Sequence, residues 1–161
     1  MDPILIGGIA VFVVMAVVLG VAWGGSTLSK LALASDERVL FELEGITVSQ
    51  HSAGGVTNFI RCVVRVTDRR IIVAQKALLA KDPALRFVIT HAGVAGDAEL
   101  GTTLKTGYIS CTVAPSEIQT KLNKAGQHIW IPLRGGAIVG EQSLRFLVPD
   151  LEPWRAAGIL A

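Results

Sequence analysis

The chain has 161 residues, a net charge of +2 and a mean hydropathy of +0.54. That length holds one domain of ordinary size plus a short appendage. No block of Lys and Arg is dense enough to track a phosphate backbone, which argues against a nucleic-acid partner, and the two cysteines, Cys62 and Cys111, fit neither a zinc motif nor a disulfide framework.

From Ile4 to Gly25 no residue carries a charge. A hydrocarbon core of roughly 30 Å takes about 20 apolar residues in a helix, so this run predicts one transmembrane helix over residues 1–27. The run has no basic flank on its N-terminal side, while Lys30 and Arg38 follow it. The positive-inside rule then places the N-terminus outside and the domain in the cytoplasm, on a single-pass protein of the cell's inner membrane. Ala32-Leu33-Ala34 offers a small-x-small cleavage site, so a removed signal peptide is the alternative. The missing basic n-region, the long apolar run and the position of Lys30 favour a permanent anchor. Ala16, Gly20 and Gly24 recur every four residues on one helix face. Small residues at that spacing let another helix approach closely. Residues 28–36 form a juxtamembrane connector with leucines at 28, 31 and 33.

The pattern changes to β from residue 37, and residues 37–161 form the domain. Arg38 to Glu44 predicts a strand that stops at Gly45 and resumes through Ile46-Thr47-Val48. Ser52-Ala53-Gly54-Gly55 predicts a turn. From Asn58 to Thr67 the period is two: Ile60, Cys62, Val64 and Val66 on one face, Arg61, Val63 and Arg65 on the other. Asp68-Arg69-Arg70 predicts a tight turn into a strand from Ile71 to Gln75. Leu85–Thr90, Gly107–Val113, His128–Leu133 and Ser143–Val148 predict further strands, with Lys76–Pro83 and Gly93–Thr103 as connections. Ser116–Lys124 reads as a helix started by Pro115 and Ser116. Asp150 caps a closing helix, Leu151 to Leu160, whose Trp154 packs on the sheet. About seven antiparallel strands and one C-terminal helix predict a mainly β fold, a curved sheet or partly open barrel closed by that helix.

Val66-Thr67-Asp68-Arg69-Arg70-Ile71-Ile72 resembles a hairpin of bacterial pleckstrin-homology-like and GRAM-like domains. His128-Ile129-Trp130-Ile131-Pro132-Leu133 resembles their later strand, and Leu144 to Val148 with the Trp154 helix resembles their last strand and closing helix. The stretch between Lys76 and Gln127 is longer than the family pattern, which leaves room for an insertion or for a different barrel. The resemblance implies a binding fold in which basic residues around the first hairpin loop contact lipid. Here that loop, Ser49 to Asn58, has neither Lys nor Arg.

No HExxH, CxxC, GxSxG or P-loop occurs, and His51, His91 and His128 stand apart in sequence. The sequence therefore predicts no enzyme, no cofactor, no metal and no small-molecule substrate. Two readings remain. The first is a non-catalytic accessory or scaffold subunit of a larger integral membrane complex, of which photosynthetic and respiratory assemblies are examples. It holds other membrane subunits through Ala16, Gly20 and Gly24 and through its domain. The second is a membrane-tethered module that binds anionic lipid or a peptide through Arg61, Arg65, Arg69 and Arg70. Basic residues near an anionic leaflet contribute about 1 kcal/mol each.

Overall fold

The computed structural model describes residues 25–93, 101–105, 107–134 and 141–160. Residues 1–24 of the predicted span, with Ala16, Gly20 and Gly24, lie outside the described residues, as does the Gly135-Gly136 turn. The last three residues of that span, Gly25, Ser26 and Thr27, are described and are not helical, because Thr27 pairs with Ala84. No helix among the described residues is long and apolar enough to cross a membrane.

Alternating β-branched and polar residues favour extended backbone, and the fold is mainly β. Nine strands occur among the described residues: β1 (Val39–Ser52), β2 (Gly55–Thr67), β3 (Arg70–Gln75), β4 (Ala84–His91), β5 (Gly101–Lys105), β6 (Tyr108–Val113), β7 (Gln119–Asn123), β8 (Gly126–Leu133) and β9 (Gln142–Val148). They form one sheet in the order β5-β6-β4-β3-β2-β1-β9-β8-β7, curled into a half-barrel. β1 to β4 make a meander, β7 to β9 make a second, and β9 pairs with the distal half of β1. The hairpin β5–β6 attaches to the free edge of β4, with β6 parallel to β4.

Three expectations change. Gly101–Lys105 is a strand rather than part of a connection, and the β4–β6 pair is parallel, so the sheet is not wholly antiparallel. Ser116–Lys124 is not a helix. Pro115–Glu117 makes a single 3-10 turn, and Gln119–Asn123 then pairs along β8. The backbone pairing offered by β8 outweighs the modest helix propensity of this short polar stretch. The closing helix, α1, covers only Glu152–Ala156. Gly158 (φ 70°) takes the left-handed conformation, and the Ile159 N–H turns back to the Trp154 carbonyl at 3.1 Å. The N-cap of α1 is Leu151 rather than Asp150 and makes no side-chain cap bond, although Asp150 Oδ1, one residue earlier, accepts the Glu152 N–H at 3.0 Å. Trp154 is fully buried and meets the rings of Phe41 and Phe146 edge to face, closing the inner core.

Two bulges set which residues face that core. In β1 the register slips between Leu43 and Ile46, where Gly45 has φ 74°. Phe41 and Leu43 point inward before the slip, Ile46 and Val48 after it. In β2 the slip falls at Ile60-Arg61, where Arg61 itself has φ 57°. Cys62, Val64 and Val66 stay inside as predicted, but Ile60 turns outward and is 57% exposed. Phe59 takes the inward position instead and meets Phe87 edge to face at 5.3 Å. Phe59→Ala should therefore destabilise the domain by about 2–3 kcal/mol, whereas Ile60→Ala should stay within about 0.5 kcal/mol. Chemical denaturation of the two variants measures both, and the reverse ranking would restore the uninterrupted alternation.

Candidate functional site

The connector is the part of the chain that relates the domain to whatever lies before it. It is not helical. Thr27 makes a bridge to Ala84, with the Leu28 N–H on the Pro83 carbonyl and the Leu85 N–H on the Ser26 carbonyl, both at 2.8 Å. It comes so close to the turn before β6 that a Cβ on Gly107 would lie 2.9 Å from the Gly25 Cα. From there the chain crosses the outer face of the sheet. Leu28 joins Val63, Ile72, Ala74 and Leu85 in a second apolar cluster, with Leu31, Leu33 and Tyr108 packed against it. This explains why Val63, predicted on the polar face of its strand, is buried: the connector covers it.

The crossing ends in a clamp. The Glu37 side chain is only 1% exposed. Its carboxylate accepts both Arg70 Nε and a terminal Arg70 nitrogen at 2.7 Å, the Thr67 hydroxyl at 2.7 Å and the Ala34 N–H at 3.1 Å. The same guanidinium donates to the Ala32 carbonyl at 2.9 Å. Burial alone pushes the Glu37 carboxyl up, but the hydrogen bonds from Arg70, Thr67 and Ala34 and the charge of Arg70 outweigh it and bring it down to about 2. Asp36 pairs with Arg69 beside it, and Arg38 donates its N–H to Asp68 at 3.1 Å.

The four arginines of the predicted contact face therefore divide. Arg69 and Arg70 hold the connector, and Arg65 meets Glu42 across the β1–β2 pair at 2.7 Å. Arg61 alone of the four has no carboxylate partner among the described residues and is exposed at the β2 bulge. The role of Glu37 is not visible in the β alternation. The available signal is a pair of complementary doublets, Asp36-Glu37 and Arg69-Arg70.

A groove of about 400 Å³ opens between the connector and the β3–β4 loop, with Thr27, Gln75, Leu79, Asp82 and Arg86 among its lining residues. Arg86 donates to Gln75 Oε1 at 3.1 Å and lies 5.9 Å from the Phe59 ring centre. Asp82 accepts the Ser29 hydroxyl and the Ser29 N–H, and the first of these bonds chiefly holds its carboxyl below the usual range.

Cys62 and Cys111 are free and buried, and burial pushes their thiols up to about 11 and about 12, so neither is a thiolate nucleophile at neutral pH. Burial lowers His91, and His128 Nε2 lies 3.0 Å from Asn123 Oδ1. Among the described residues no group of His, Cys, Asp and Glu is placed to hold a metal ion. No protein-family model matches this chain, and neither a curated protein nor a solved structure matches it significantly.

The Glu37 carboxyl lies below its ordinary value of 4.5 in the folded protein, so its contribution is complete above about pH 4.5 and disappears as the pH falls toward about 2. That interval corresponds to about 3 kcal/mol. Glu37→Gln should cost about 3 kcal/mol at pH 7 by leaving Arg70 without its counter-charge, and the difference from wild type should shrink steadily below pH 4.5. Urea unfolding of both proteins from pH 7 to pH 2.5 measures it, and a constant difference would mean that Glu37 is uncharged in the fold.

Proposed function

We propose that this protein is a non-catalytic, single-span membrane subunit that serves as a scaffold within a larger integral membrane assembly. The clamp between the connector and the β2–β3 turn carries this reading. A tethered sensor needs only a loose linker to search for its ligand. Here the apolar crossing through Leu28, Leu31 and Leu33 and the Glu37–Arg70 pair fix the connector to the domain. A fixed connector holds the domain in one pose relative to a helix that precedes it. Contacts through both parts then reinforce each other without the entropy cost of ordering a linker.

In this reading residues 4–24 cross the membrane with the N-terminus outside, and Ala16, Gly20 and Gly24 form the face on which a neighbouring subunit's helix packs. The domain has the pleckstrin-homology-like architecture that the sequence resemblance implies. In support, a curled sheet is followed by a short helix that buries Trp154, and the β5–β6 hairpin lies within the stretch that is longer than the family pattern. The arginine-faced alternative loses its main residues, because Arg65, Arg69 and Arg70 are taken by carboxylates of the same chain.

The full chain, extracted from its own membrane in mild detergent, should copurify with stoichiometric integral membrane partners. Gly20→Leu should lower their recovery about tenfold, the equivalent of about 1.4 kcal/mol of lost packing. A monodisperse monomer without partners overturns the reading.

A further inference from the structure

The loop between β3 and β4 reads Lys76-Ala77-Leu78-Leu79-Ala80-Lys81. Leu78 is 82% exposed and Leu79 97% exposed, the two most exposed of the large apolar side chains among the described residues. A leucine pair at a loop tip, bounded on each side by lysine, contributes nothing to either apolar cluster of the domain. The loop's position gives it a use. It ends at Pro83-Ala84, the segment that bridges to Thr27, and Asp82 within it takes the Ser29 N–H and hydroxyl. Thr27 lies two residues after Gly25, at the end of the charge-free run. At about 3.3 Å per extended residue, the base of the loop lies within about 10 Å of that point along the chain.

Neighbouring residues add to the same surface. The Arg61 carbonyl accepts the Lys76 N–H at 3.1 Å, so the bulge that exposes Ile60 and Arg61 lies beside the start of the loop. Lys76 and Lys81 flank the leucines in the loop, Arg61 lies beside Lys76 and Lys30 lies near Asp82, and the loop's own acid, Asp82, is engaged by Ser29. Aliphatic tips ringed by cations match the interface of a bilayer with anionic headgroups: apolar atoms enter the acyl boundary while long lysine stems keep their ammonium groups at headgroup level.

We propose that the β3–β4 loop is a second membrane contact. Leu78 and Leu79 insert into the interface of the leaflet from which the anchor emerges, and Lys76 and Lys81 meet anionic lipid headgroups there. The proposal rests on the reading of residues 4–24 as a membrane anchor. The two attachments, one covalent and one adsorbed, fix the tilt of the domain on the membrane.

The test uses the full chain in vesicles of phosphatidylcholine with phosphatidylglycerol. Leu79→Cys carries an environment-sensitive fluorophore on its thiol, since Cys62 and Cys111 are buried. Leu122→Cys, 80% exposed on edge strand β7, serves as the control. The expected result is several-fold stronger quenching by lipids spin-labelled near the headgroup at position 79 than at 122. Lys76→Glu with Lys81→Glu should reduce that quenching at least twofold. Equal quenching at 79 and 122 in a chain that resists alkaline carbonate extraction overturns the loop contact and leaves the anchor standing. Extraction by carbonate overturns the anchor reading itself. A fluorescence shift at 79 in native membranes but not in pure lipid vesicles assigns the loop to a protein partner and overturns the lipid contact.

Discussion

A carboxylate removed from water requires a counter-charge, and for Glu37 that requirement fixes the course of the connector. Its partner Arg70 stands at the first position of β3, so the acid can be satisfied at only one place on the sheet. Desolvating the two groups takes back part of what their attraction provides, so an apolar replacement of the whole pair need not weaken the fold, whereas removal of one partner does. Their contribution here is location. Leu28, Leu31 and Leu33 supply the apolar area that holds the connector down, but leucines tolerate sliding over a surface of Val, Ile and Ala. The bidentate guanidinium, the Thr67 hydroxyl and the Ala34 N–H do not.

The sheet in turn depends on being covered. An antiparallel sheet ordinarily leaves one face to water, and β2 and β3 would show Val63, Ile72 and Ala74 on theirs. The inner face is closed by the curl of the strands and by Trp154; the outer face is closed by residues that precede the domain in sequence. The connector therefore belongs to the fold rather than to a linker. Cutting the chain at residue 36 would uncover this patch and remove Asp36, leaving Arg69 without its acid, so a domain drawn from residue 37 onward omits part of its own core.

Much of this was legible in the sequence, and the failures have identifiable causes. Period-two alternation marked β2, short apolar runs between turn signals located β3, β4, β8 and β9, and Trp154 could be read as a core anchor from its place in a short amphipathic stretch. The inward face of β2 was read correctly from Cys62 to Val66 and wrongly at Ile60, since a bulge at a non-glycine residue such as Arg61 leaves no mark in the pattern. β5 and β7 were missed because edge strands lack an obligatory apolar face, and β7 is exposed along its whole length. The candidate site was less legible still. The arginines were visible, but the acids that bind two of them lie 33 residues earlier, and only the folded hairpin brings the two doublets together.

The basic residues of this hairpin also show why charge counting misled. Arg65, Arg69 and Arg70 look as available in sequence as Lys76 and Lys81, and all lie on one meander. Register separates them. Arg65 is directly opposite Glu42, and Arg70 is carried by the turn to Glu37, so their charges are neutralised within a few ångströms and have little reach beyond the protein. Lys76 and Lys81 flank a loop whose one acid is occupied by Ser29, and the loop's apolar residues point away from both cores. A surface that attracts an anionic layer must combine net charge left over after internal pairing with apolar atoms left over after core formation. Of the arginines and lysines on this meander, those next to the connector's entry point meet both conditions, and the arginines at the opposite end of β3 meet neither.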